Sequence, residues 1–122
     1  MTKRILIADD DDDLRQALEQ LLVLEGFAIA GAPNGRAALG LARTLAYDLI
    51  LLDVSMPGAS GLDVLTALHD LRPEVPIIMM SGQTGRNTVS NALRCGAYDF
   101  IMKPFDNESV LTTVKQALGL VN

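Results

Sequence analysis

Two acidic features and two isolated polar groups are the residues of this chain best placed to do chemistry. The acidic features are the run Asp9-Asp10-Asp11-Asp12-Asp13 and the single Asp53, which closes the apolar stretch Leu49-Ile50-Leu51-Leu52. The polar groups are Ser81, after Ile77-Ile78-Met79-Met80, and Lys103, after Tyr98-Asp99-Phe100-Ile101-Met102. Carboxylates brought close together repel, each pair by roughly 1 to 4 kcal/mol at about 4 Å, depending on the local dielectric. A hard, oxygen-seeking cation offsets that cost, and Mg²⁺ suits a few carboxylates completed by water and phosphate oxygens. An EF-hand calcium loop starting at Asp9 is excluded, because its sixth residue is Leu14 rather than Gly and its twelfth is Gln20 rather than Glu.

Each of these residues also has a plainer explanation. Acidic residues favour the start of a helix, and that accounts for Asp11, Asp12 and Asp13. An Asp can end any strand at a turn, a Ser can belong to the turn, and a Lys is most often a surface residue. What raises the set above that background is its placement, since each member follows an apolar run of strand length.

Five such runs alternate with helix-period segments: Ile5–Ala8, Phe27–Gly31, Leu49–Leu52, Ile77–Met80 and Tyr98–Met102. Three are continuously apolar, as expected of strands covered on both faces. Between them, Leu14, Leu18, Leu21 and Leu22 share one helical face, as do Ala37, Ala38, Leu41 and Leu45. The same spacing recurs in Leu62, Leu65 and Leu68, after Ser60 and Asp63 as a start signal, and in Val110, Leu111, Val114, Ala117 and Leu118. These stripes are packing faces. Gly26 and Gly96 mark helix ends, and Pro73 and Pro76 keep the third helix from running into the next strand. The alternation predicts a single α/β domain over residues 1–122, a five-stranded parallel sheet with helices on both faces and right-handed crossovers. In such sheets ligands bind beyond the carboxyl ends of the strands, where the strand order reverses. If the first and third strands are neighbours, Asp9, Asp10 and Asp53 meet there.

Bulk properties bound the function. With 122 residues the chain has the size of one ordinary domain, and 49% hydrophobic residues provide a core built from Leu, Ile, Val, Ala and Met. A formal net charge of -5 argues against this domain holding nucleic acid or an anionic membrane by itself. The single Cys95 cannot form an internal disulfide, and the run after Arg4 is too short for a signal sequence or a membrane span. These features fit a soluble, cytoplasmic protein.

Taken together, Ile5-Leu6-Ile7-Ala8-Asp9-Asp10, Leu51-Leu52-Asp53-Val54-Ser55-Met56-Pro57-Gly58, Met80-Ser81-Gly82, Gly96-Ala97-Tyr98-Asp99-Phe100 and Lys103-Pro104-Phe105 resemble the receiver domain of two-component response regulators. The resemblance spans essentially the whole chain. It implies a flavodoxin-like, three-layer α/β/α fold with sheet order 2-1-3-4-5 and five helices. It further implies that Asp53 is the phosphoacceptor, that Asp9, Asp10, Asp53 and the Ser55 carbonyl hold Mg²⁺, and that Ser81 and Lys103 contact the phosphoryl oxygens. Phe100 matches the aromatic switch position, and Lys103-Pro104 the place of a cis peptide bond. The phosphoryl donor would be a sensor histidine kinase or phosphotransfer protein. The surface made by the fourth helix, fifth strand and fifth helix would answer to a fused or separate output domain, or to a second copy. Ser55 and Gln83 occupy positions that modulate phosphate lifetime in the family. His69, near the end of the third helix, is expected at the surface.

Three other functions compete with this one. A haloacid-dehalogenase-like phosphatase also uses a strand-end Asp and Mg²⁺, but wants a second Asp two residues on, where this chain has Ser55. A flavodoxin wants a phosphate loop after the first strand, where this chain has five acids. A receiver-like binding module that is never phosphorylated needs none of the five polar residues. On the receiver reading the chain is not an enzyme, apart from phosphotransfer to, and hydrolysis at, its own Asp53.

Overall fold

A computed structural model of the chain describes residues 2–54, 61–82 and 86–120, with the backbone alone at residues 86–88. In chain order the elements are β1 (Arg4–Ala8), α1 (Asp12–Leu24), β2 (Ala28–Ala32), α2 (Gly35–Thr44), β3 (Leu49–Asp53), α3 (Gly61–Leu71), β4 (Ile77–Ser81), α4 (Arg86–Arg94), β5 (Asp99–Met102) and α5 (Asn107–Ala117). The strands form one parallel sheet in the order β2-β1-β3-β4-β5. The fold class expected from the alternation of runs is therefore the one observed.

The central strands explain the layering. Successive side chains of a strand point to opposite faces, and here the two faces enter separate cores. Leu6, Ala8, Ile50, Leu52, Ile77 and Met79 pack with Ala38, Ala42, Val64, Leu65, Leu68 and Ala92, the buried faces of α2, α3 and α4. Ile5, Ile7, Leu49, Leu51, Ile78 and Met80 pack with Leu18, Leu22, Val110 and Val114 of α1 and α5. β3 and β4 are buried along their whole length, which is why their sequences are unbroken apolar runs.

Helix ends depend on local chemistry. Asp11, Asn34 and Asp106 are N-caps, whose side chains accept from the amides of Leu14, Ala37 and Ser109 at 3.1, 2.8 and 2.7 Å. Gly26 (φ 94) and Gly96 (φ 113) end α1 and α4 in the left-handed conformation. At each end the residue after the glycine donates back to the helix, Phe27 to the Leu22 carbonyl and Ala97 to the Ala92 carbonyl. That use of the Phe27 amide explains why β2 begins at Ala28 rather than at Phe27. The expected stripe of α2 is also shorter than its spacing suggests. Ala38 and Ala42 are buried, whereas Leu45 is the C-cap and lies exposed.

His69 is a correction. Its ring lies under Gly96, where a Cβ would come within 2.7 Å of it. Its Nδ1 is shielded from solvent and has no hydrogen-bond partner among the described residues. The last turn of α3 packs against the connection from α4 to β5, so the imidazole is half-buried rather than displayed.

The cap of α5 makes a test. Hydrogen bonds from the Ser109 backbone, and then from its side chain, hold the Asp106 carboxyl below its ordinary value of 3.8. A depressed carboxylate adds stability that is present above the unfolded value and is lost as pH falls through the folded one. Acid titration of folding should therefore be flatter in Asp106→Asn than in the unmodified chain below about pH 4, as followed by circular dichroism. An unchanged acid limb refutes this account of the cap.

Candidate phosphoryl and metal site

Four strands bring the polar groups to one edge. Asp9 directly follows β1, Asp53 ends β3, Ser81 ends β4 and Lys103 directly follows β5. β1 and β3 are hydrogen-bonded neighbours, with Ala8 opposite Leu52, so Asp9 and Asp53 extend the same register. The Lys103 amide donates to the Ser81 carbonyl at 2.7 Å, which joins the ends of β4 and β5. The Lys103–Pro104 peptide is cis.

Asp9, Asp53 and Ser81 are the buried polar residues of the described chain, at 0, 3 and 0% exposure. A buried carboxylate needs a partner. Lys103 supplies one to both acids, with its Nζ 3.1 Å from Asp9 Oδ2 and 3.4 Å from Asp53 Oδ1. Asp9 Oδ1 accepts from the Asp11 amide at 3.0 Å. Asp10 is exposed. One carboxylate oxygen from each of Asp9, Asp10 and Asp53 lies within 4.8 Å of the others, a group that could hold a metal ion. Two buried acids and one at the solvent edge could serve a hard cation, whose remaining ligands would be water or phosphate oxygens.

Asp11, Asp12 and Asp13 behave as a helix start, with Asp11 the cap of α1 and the other two in its first turn. Ser55, the expected carbonyl ligand, and Gln83 lie outside the described residues. Phe100 is half-buried in β5 and packs on the core shared with α2, α3 and α4. It pairs in register with Met79, two residues before Ser81, so the ring and the hydroxyl belong to the same face of the sheet.

Two residues at the site carry weaker signals in the sequence. A Cβ on Gly61 would collide with the Val54 carbonyl, so α3 starts hard against the chain leaving Asp53. A glycine at a helix start was the available sign. Arg15 donates from Nη1 to the Asp9 carbonyl at 2.7 Å and from Nη2 to Asp12 Oδ1 at 2.7 Å. Only its position three residues after Asp12 hinted at it.

The family model described as the response regulator receiver domain matches residues 5–115. The chain belongs to this family. It is 38% identical over 117 residues to the regulatory protein AtoC of Escherichia coli, a match covering 96% of this chain and 25% of that protein. It is 40% identical over 118 residues to the DNA-binding response regulator MtrA of Mycobacterium tuberculosis, covering 97% of this chain and 51% of the relative. The chain thus spans about a quarter to a half of the length of these relatives. Among solved structures, the CheY-like receiver domain protein of Methanospirillum hungatei superposes with a TM-score of 0.95 at 31% identity, covering 98% of this chain and 95% of that one. The chain is a receiver domain. Receivers are generally not enzymes, and among the described residues no helix is long and apolar enough to cross a membrane.

The ligand set predicts how the receiver answers to metal. Asp10→Asn removes a repelling charge, so without metal its thermal midpoint should equal or exceed that of the unmodified chain. Magnesium should raise the midpoint of the unmodified chain, by the equivalent of about 2.7 kcal/mol at a hundredfold excess over its dissociation constant. That rise should shrink sharply in Asp10→Asn. Scanning fluorimetry with and without MgCl₂ measures both, and an equal rise in the two proteins counts against Asp10 as a ligand.

Proposed function

We propose that this receiver accepts a phosphoryl group on Asp53 and thereby switches an output in a two-component relay. The observation that carries this reading is the Lys103 ammonium lying between the buried Asp9 and Asp53 carboxylates, with an oxygen of Asp10 in reach of both acids. The domain is taken as the whole of residues 1–122, acting in the cytoplasm.

Phosphoryl transfer requires mainly positioning and neutralisation of charge. An Asp53 carboxylate oxygen attacks the phosphorus of a phosphohistidine on a sensor histidine kinase or phosphotransfer protein. The oxygen–phosphorus bond forms as the nitrogen–phosphorus bond breaks, and the electron pair returns to the imidazole. Asp9, Asp10, Asp53 and the Ser55 carbonyl would hold Mg²⁺, which when bound neutralises charge on the phosphoryl oxygens. Lys103, already against Asp53, follows one phosphoryl oxygen as a counter-charge, and the Ser81 hydroxyl donates to another. Hydrolysis reverses the state. Water attacks the phosphorus, the bond to Asp53 breaks and the carboxylate is restored.

The switch follows from the added charge and acceptor oxygens. Ser81 is drawn toward the phosphoryl group, and Phe100, on the same sheet face, turns into the space that is left. The surface of α4, β5 and α5 changes in consequence. Exposed Leu93 on α4, Tyr98 just before β5 and Met102 at its end support that surface as the contact for an output domain or for a second copy in a homodimer.

The test is incubation with Mg²⁺ and acetyl phosphate, followed by mass analysis of the intact chain and its tryptic peptides. One phosphoryl group is expected on the peptide Thr44–Arg86, at Asp53, since trypsin leaves the Arg72–Pro73 bond intact, and none in Asp53→Asn. Labelling at another residue, or no labelling with metal present, overturns the proposal. Beryllofluoride should bind in the same metal-dependent way.

A further inference from the structure

We infer that Arg15 is the positioning residue that aims the acidic pair Asp9-Asp10 at its cation, an inference that rests on the reading of those two acids as ligands. Asp9 is held at every polar atom. Its amide donates to the Ala32 carbonyl at 3.0 Å, Oδ1 accepts from the Asp11 amide and Oδ2 faces Lys103. The remaining group, its backbone carbonyl, accepts from Arg15 Nη1. That carbonyl belongs to the planar peptide joining Asp9 to Asp10. Gripping it sets the plane from which the Asp10 side chain departs, and among the described residues the Asp10 carboxylate makes no hydrogen bond or ion pair of its own that would aim it.

The arginine is itself anchored. Its second nitrogen pairs with Asp12 Oδ1, one turn earlier on α1, and the side chain is only 14% exposed although Asp12 is 70% exposed. Its stem crosses β2 at Gly31, where a Cβ would stand 3.3 Å from Arg15 Cδ and would collide with Glu19 Oε1. The missing side chain at residue 31 therefore leaves the path that the arginine takes to the end of β1. A planar fork with two fixed donors suits this double duty.

The sign of the effect separates positioning from plain electrostatics. Arg15 is a cation beside a cation site, so on Coulombic grounds its removal should tighten magnesium binding. Positioning requires the opposite, because groups that orient metal ligands typically contribute about 10- to 100-fold in affinity. The chain has no tryptophan, so isothermal calorimetry with MgCl₂ is the direct measurement. R15M keeps the length of the stem beside Gly31 and is expected to weaken binding about 10- to 100-fold. R15K, which restores a charge and a donor but not the two-pronged fork, is expected to recover part of the loss. R15Q, a second neutral variant with a polar tip, gives the comparison if R15M does not fold by circular dichroism. Equal or tighter binding in the folded neutral variant overturns the positioning role alone, as does R15K binding no better than it. Absence of magnesium binding by the unmodified chain overturns the functional reading, and this inference with it.

Discussion

Two carboxylates withdrawn from water and facing one ammonium form the constraint around which the rest of this molecule is arranged. Asp9 and Asp53 are almost wholly buried, and Lys103 is three-quarters buried beside them. Desolvating such groups is costly unless the geometry is close and the remaining lone pairs are satisfied. Closeness is supplied by the topology. β1 and β3 are hydrogen-bonded neighbours, and β5 is tied to β4 by the Lys103 amide, so three separate stretches of chain converge within hydrogen-bonding distance. The apolar layers beneath give the strand ends a rigid base. Asp53 ends a strand whose other residues are all in the core, and its position is fixed by packing rather than by its own bonds alone.

The place of the cluster follows from the order of the strands. After β1 the chain moves outward to β2 and then returns past β1 to β3, so the sheet is wound in opposite directions from that point. Connections leave to the two sides there and open a crevice at the carboxyl ends. Asp9 and Asp53 line it from the two strands that flank the reversal. Ser81 and Lys103 come from the next two strands, and the edge strand β2 contributes a carbonyl, that of Ala32, to the Asp9 amide.

Much of this was legible in the sequence, and the reason is specific. β1, β3 and β4 are unbroken apolar runs because both their faces are covered, and each run is followed at once by the polar group it delivers. The acids at the start of α1 and the glycine ends of α1 and α4 were equally plain, since their chemistry is local. The less legible features depend on contacts between distant segments. Leu45 completes a helical stripe by spacing, yet it lies beyond the last turn of α2 and meets no core. His69 reads as a surface residue until α4 and its terminal glycine close over it. Arg15 sits among the leucines of an ordinary amphipathic helix, and its tie to a backbone carbonyl across the strand end leaves no trace in periodicity. Gly61 is explained by the Val54 carbonyl behind it, an atom with no sequence signature at all.

The glycine endings of α1 and α4, joined by that of α5 at Gly119 (φ 71), give the molecule a chemical polarity. At the carboxyl edge of the sheet, side chains carry the information: acids, a hydroxyl and an ammonium. At the opposite edge three helices are finished by main-chain bonds alone, through Phe27, Ala97 and Leu120. Substitution in those far turns is limited at the three glycines, where any residue with a β-carbon would be strained, and at Phe27 and Ala97, which enter the core. One end of the domain is thus held by backbone shape, and the other by the charges of its side chains.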